Sequence, residues 1–221
     1  MPPFCTSPEM ANCRKRFRRR GFTLIETLTV AATFAVLLAL AVPAVTGMKR
    51  GQTLGRQVET LSSTLEQART LAVSRNTFVW VGIHEKDENG VPVVIVSTVA
   101  GLSGQASDLA NSRFRPALKP LHLHNTTLDA SGYADLPGLD AVNNQDIEQS
   151  SLSFHQTIGS EGEITFDRVI VFNPGGGARI SEAFLSRLIG IGLAAGPVTN
   201  GTDVAALQIS GLNGNISVYR R

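Results

Sequence analysis

His122 and His124 stand two positions apart, so on a strand both imidazoles project from one face. Such a pair could open a metal site, with Asp129 as a third ligand. The plainer reading is two surface histidines on a loop strand. His84 and His155 have no obvious partners in the sequence. Both cysteines, Cys5 and Cys13, lie ahead of the basic cluster, which excludes a disulfide framework, a four-cysteine zinc site and a CxxC redox pair. There is no G-x-S-x-G elbow and no recognisable Ser/His/Asp order. The charged residues at 85–88 form a hairpin tip, which more often serves solubility than acid/base work. The acidic segment 135–148 lacks the D-x-D-x-D-G calcium loop. Pro174-Gly175-Gly176-Gly177 lacks the GK[ST] of a phosphate loop and reads as a tight turn. These patterns predict a protein that is not an enzyme, with no catalytic residues, metal or cofactor.

One acid stands out by its surroundings. Residues 27–48 carry no charge, and Glu26 interrupts an otherwise apolar run that begins at Gly21. Ahead of it, Arg14, Lys15, Arg16, Arg18, Arg19 and Arg20 hold six of the 20 basic residues. An apolar run of roughly 24 residues would measure about 36 Å as a helix, enough for a hydrocarbon core of about 30 Å. The basic residues before it predict a cytoplasmic N-terminus. A signal anchor or a removable export signal would explain these features, and Arg19-Arg20-Gly21-Phe22-Thr23-Leu24 resembles a twin-arginine signal with an exit near Ala41. Neither explains Glu26, which costs about 2.5–3.5 kcal/mol at the centre of an inserted helix and less near its end.

The string Arg20-Gly21-Phe22-Thr23-Leu24-Ile25-Glu26 resembles the cleavage signal of type IV prepilins and type II secretion pseudopilins. That family has a short basic leader, a glycine at the cut and a glutamate at the fifth mature position. Pro43 falls where many pilin helices carry a proline. The resemblance implies cleavage between Gly21 and Phe22 by a prepilin peptidase, N-methylation of Phe22, and assembly contacts through Glu26 and Pro43. It implies a structural, minor subunit of a type IV pilus or type II secretion pseudopilus. Its partners would be other pilin-like subunits, the peptidase/methyltransferase and the inner membrane. Before assembly the chain would be a single-pass inner-membrane protein with its head outside the cytoplasm. Physically, cleavage leaves a cationic amine near Glu26, and docking that pairs the two in low dielectric is favoured.

The elements that would carry these residues follow from periodicity. Leu54, Val58, Leu61, Leu65, Ala68 and Ala72 recur in steps of three and four, one apolar stripe of an amphipathic helix. This predicts one helix from about Phe22 to about Arg75, bent near Pro43. Gly47, Gly51 and Gly55 permit either close helix contacts or a flexible exit. Residues 77–83 and 91–99 are strand-like around Asn89-Gly90, a hairpin signature. Residues 101–150 read as loops with one strand at 118–123. Strand character returns at 152–154, 164–166, 169–172, 204–209 and 216–219, with a short helix at 181–188 stopped by Gly190. The expected fold class is α+β, pilin-like: a long N-terminal helix, with a membrane half and an amphipathic half, packed on an antiparallel β-sheet head. The domains would be a leader (1–21), a transmembrane or assembly helix (22–46), an amphipathic helix (47–76) and the head (77–221).

The head resembles H-type minor pseudopilins and FimT-like minor pilins at 65–83, 164–180 and 209–221, and also a prepilin-like group from multi-pilin cassettes of Verrucomicrobia-type bacteria. Composition fits one globular domain with an appendage: 221 residues, 43% hydrophobic and 17% charged, too apolar for a disordered chain. Some FimT-like proteins contact DNA with basic C-terminal residues, which here would be Arg220 and Arg221 beside Tyr219. Residues 51–221 hold 12 basic and 16 acidic side chains, poor electrostatics for nucleic acid. The alternatives kept open are that DNA-binding role and a twin-arginine or Sec-exported soluble protein cut near Ala41.

Overall fold

The computed structural model describes residues 23–129, 132–182, 186–196 and 203–220, with side chains at 38–53 and 160 outside that description. The chain divides into two compact units, Met1–Val45 and Thr46–Arg221. Helix α1 (Leu24–Arg75) passes through the boundary between them.

In the first unit, every described side chain from Thr23 to Leu37 is exposed. The helix begins at Leu24 rather than Phe22 because Thr23 caps it. The Thr23 hydroxyl accepts the Glu26 amide at 3.3 Å. Its carbonyl accepts the amides of Glu26 and Thr27 at 3.0 and 3.2 Å. A hydroxyl at the cap with a glutamate three positions on is a helix-start signature, and the acid also suits the positive end of the helix dipole.

The second unit is built on β-structure. Strands β1 (Val79–Glu88) and β2 (Val91–Gly101) form a hairpin closed by Asn89 and Gly90, both at positive φ (57° and 81°). Strand β3 (Phe114–Pro116) and strand β4 (Leu121–His124) pair with successive parts of β2. Strand β9 (Arg168–Phe172) lies against β1, and β10 (Ala178–Arg179) against β9. A second sheet joins β5 (Thr126–Leu128), β11 (Leu188–Ala195), β12 (Val204–Ser210) and β13 (Ile216–Arg220). Strand β6 (Asn144–Asp146) adds to β11 in parallel. A separate hairpin is formed by β7 (Phe154–Thr157) and β8 (Glu163–Phe166).

Period-two alternation explains the layers. Val79, Val81, Ile83, Val94, Val96, Ile170 and Phe172 share a core with the helix stripe Leu54, Val58, Leu61, Leu65, Ala68 and Ala72. Ile189, Ile191, Leu193, Leu207 and Ile209 of the second sheet close the same core. The intervening residues Trp80, Val93, Ile95, Val99, Val169 and Val171 face the other way and meet Phe154, Ile164 and Phe166 of the β7–β8 hairpin. The first sheet is therefore covered on both faces, which is why β2 reads as an almost unbroken apolar run. The chain crosses from one sheet to the other at Asn125 (φ 56°). There the Gln57 amide of α1 donates to the His124 carbonyl at 2.6 Å and accepts the Thr126 hydroxyl.

Several expectations are corrected. The pilin-like α+β plan of a long N-terminal helix, half membrane and half amphipathic, packed on an antiparallel β-sheet head does not hold. The described fold is dominated by antiparallel sheets, arranged as two sheets and a separate hairpin. Among the described residues no helix is long and apolar enough to cross a membrane. The expected single pass through the inner membrane, with a cytoplasmic N-terminus and an external head, falls on the same finding, and with it the transmembrane, pilus and secretion assignment. The two stretches also belong to different units, with an apolar stripe in one and exposed apolar side chains in the other. Residues 101–150 are not mainly loop, since they supply β3, β4, β5 and β6. Gly190 does not stop a helix but lies inside β11. Of the expected helix 181–188, residues 183–185 are outside the described residues.

Candidate functional site

The residues with chemical character fall into separate places. His122 and His124 share a face of β4, as their spacing predicts, and their rings stack 6.3 Å apart. His122 Nε2 lies 2.7 Å from Glu161 Oε1 in the turn between β7 and β8. Lys86 Nζ is 3.2 Å from Glu88 and 3.7 Å from Glu161. The hydrogen bond to Glu88 holds the Lys86 ammonium pKa above its ordinary value against partial desolvation. This cluster ties the β7–β8 hairpin to the first sheet. Asp129 is buried at a bend, where it accepts the Gly132 amide at 2.8 Å. Among the described residues no group of three His, Cys, Asp or Glu is placed to hold a metal ion.

A second polar cluster lies on the outer face of the second sheet. Tyr133 donates to Asp146 and receives Asn144 Nδ2 at 3.2 Å, while Gln208 Nε2 reaches the Asp140 carbonyl at 3.0 Å. Burial, then the Asp146 hydrogen bond, pushes the Tyr133 phenol pKa well above its usual value. The ring fits because β11 carries glycine beneath it: a Cβ at Gly192 would collide with Tyr133 and the Asp129 carbonyl. This is the signal the sequence reading missed. Gly190 and Gly192 mark a strand approached closely by another segment, not the end of a helix.

Asp108 is almost fully buried and accepts both the Ser103 amide (2.7 Å) and the Ser103 hydroxyl (2.5 Å). The Ser103 side-chain hydrogen bond, with backbone amides and Arg113 behind it, holds the Asp108 carboxyl below its ordinary 3.8. A lowered pKa in the folded state stabilises above the unfolded value and is lost as pH falls through the folded one. Asp108→Asn is therefore expected to lower stability at pH 7 and to flatten the acid limb below about pH 4, followed by urea unfolding across pH 2–7. An unchanged acid limb contradicts this.

The remaining candidates are structural. Pro174–Gly177 is a turn, with the Gly177 amide donating to Asn173 Oδ1 at 3.0 Å. Gly177, Gly211 and Gly214 leave room for turn-to-turn contact beside Arg69. Arg220, a candidate nucleic-acid contact, instead reaches Glu59 at 3.1 Å and the Gly55 carbonyl at 3.4 Å. Gly55 thus serves close approach, to the last strand. Arg221, Gly21, Phe22, Cys5 and Cys13 lie outside the described residues, as does the side chain of Pro43.

What is left without an internal role is the first unit's surface. Leu24, Ile25, Leu28, Val30, Phe34, Val36 and Leu37 are exposed, from 47% at Val30 to 81% at Leu24. No family model matches the chain, and neither a curated protein nor a solved structure does.

Proposed function

We propose that the chain is a minor structural subunit of the prepilin type, cut between Gly21 and Phe22 and assembled with sibling subunits through its apolar N-terminal segment. One observation carries this reading: a capped helical stretch whose large apolar side chains, Leu24 to Leu37, are all exposed. A helix apolar on all sides belongs in contact with other apolar surface. Burying a Leu or Phe side chain yields about 1.5–3 kcal/mol, so a few such residues outweigh the cost of association.

Glu26 fits the same reading. It is the lone acid of that stretch, at the first turn of the helix. Once the leader is gone, the new Phe22 amine supplies a cation for it, on the same chain or on a neighbour. In the reading proposed here, that pairing sets the axial register of an incoming subunit. Prepilin peptidase/methyltransferase and sibling subunits are the partners. The chain itself performs no catalysis.

Glu26→Ala should leave cleavage intact and reduce incorporation into the assembly, whereas Thr23→Ala, which removes only the cap, should have the smaller effect. Processing is read by the mass of the subunit and incorporation by its sedimentable fraction. Wild-type incorporation of Glu26→Ala would contradict the role given to this residue.

A further inference from the structure

The two ends of the β1–β2 hairpin carry opposite charge. At the turn end stand Glu85, Asp87 and Glu88, with Glu161 from the turn between β7 and β8 brought close by Lys86, which pairs with both Glu88 and Glu161. At the other end, where Val79 pairs with Ala100, the end of α1 and the start of β3 enclose a pocket of about 250 Å³. Its lining includes Arg75, Asn76, Thr77, Ser103, Gly104 and Arg115 and no acid. Arg113 stands two residues from Arg115, next to β3. Asp108, just behind Ser103, is the nearest acid, and its oxygens are taken up by Ser103.

Several cations of the second unit are engaged elsewhere. Arg69, Lys86, Arg168 and Arg220 sit in ion pairs, and Arg179 lies over Phe78. Among the described residues, the side chains of Arg75 and Arg115 form no ion pair or hydrogen bond. Two guanidiniums left unpaired around one acid-free pocket make a carboxylate receptor, since each can present a planar pair of donors to two oxygens. The matching carboxylates are on the same chain at the far end of a strand pair about 30 Å long, too far to fold back into the pocket.

We propose that the chain associates head to tail with a second copy of itself, carboxylates of the β1–β2 turn of one copy entering the Arg75–Arg115 pocket of the next. This deepens the assembly reading, on which it rests for the identity of the partner. The two surfaces differ, so the contact is heterologous and leaves one acidic end and one basic pocket free on every pair, open to further copies. Its exposed charges make it salt-sensitive, unlike contacts through the apolar segment.

The test uses the full chain carrying Arg115→Lys, which places an amine in the pocket, and a zero-length carbodiimide that condenses amines with carboxylates. The expected products are covalent links from position 115 to Glu85, Asp87 or Glu88. In a mixture of isotope-labelled and unlabelled chains they join the two kinds. They should fall roughly tenfold or more in 1 M salt, where the screening length is about 3 Å. They should also fall when Arg75→Gln is added, which takes one guanidinium from the pocket and leaves every reacting group in place, with the fold checked by circular dichroism. Chains that associate without these links, or with links indifferent to salt, overturn this contact and leave the assembly reading standing. Chains that remain monomeric at every salt concentration overturn both.

Discussion

Phe166→Ala is expected to destabilise the second unit by about 3–5 kcal/mol, the cost of removing a buried phenyl ring and leaving a cavity. Phe166 is fully buried, stacks on Phe154 with centroids 5.0 Å apart, and meets the His84 ring edge-on at 6.2 Å. The pair rests on β1 at Gly82, where a Cβ would come within 2.6 Å of the Phe166 Cβ and 2.7 Å of the Phe154 ring. Glycine leaves that face open, so nothing nearby can swing in to refill the space. For a domain of this size the thermal midpoint should drop by roughly 6–20 °C. Thermal and urea unfolding followed by far-ultraviolet circular dichroism measure it. A loss below about 1 kcal/mol would mean that the β7–β8 hairpin does not close the second core. The same variant loosens the hairpin that holds Glu161 against His122 and Lys86.

Phe34→Asp is expected to leave the second unit's unfolding unchanged and to cut the assembled fraction roughly a hundredfold or more. Phe34 is 61% exposed and belongs to the first unit, so the folded head does not depend on it. In the assembly the substitution places an unpaired carboxylate against apolar neighbours, at a cost of several kcal/mol. Each 1.4 kcal/mol is tenfold in association. The sedimentable fraction of the subunit, set against the wild type at equal expression, reads the outcome. Equal incorporation would show that the apolar stretch is not where subunits meet.

The sequence disclosed some of this and concealed the rest for physical reasons. The helix stripe Leu54–Ala72 was legible because its spacing can bury only one way. The β1–β2 hairpin was legible because Asn89-Gly90 demands two left-handed residues in succession. The second sheet was not. Strand β11 is built of Ile-Gly-Ile-Gly, where glycine replaces the polar half of the usual alternation to admit Tyr133 and the Asp129 carbonyl. Strands β3 to β6 are three or four residues long, too short for any period to register. The extrapolation from a string that resembles a cleavage signal to a membrane-crossing, pilin-like molecule failed on the fold, since a seven-residue string constrains the chain locally and not the layers beyond it. Among the candidate residues, the shared face of His122 and His124 was readable from their spacing. The tie of His122 to Glu161, thirty-nine positions away, was not. The Thr23–Glu26 cap was present in the string as T-x-x-E and gives Glu26 a local role beside the proposed one.

The most direct test is the mass of the N-terminal peptide of the protein recovered from its native source. A subunit cut between Gly21 and Phe22 yields a peptide beginning at Phe22 with one methyl group on its amine. A peptide beginning near Val42, or a chain still carrying residues 1–21, contradicts the account, because the apolar segment would then be discarded or would lack the amine that answers Glu26.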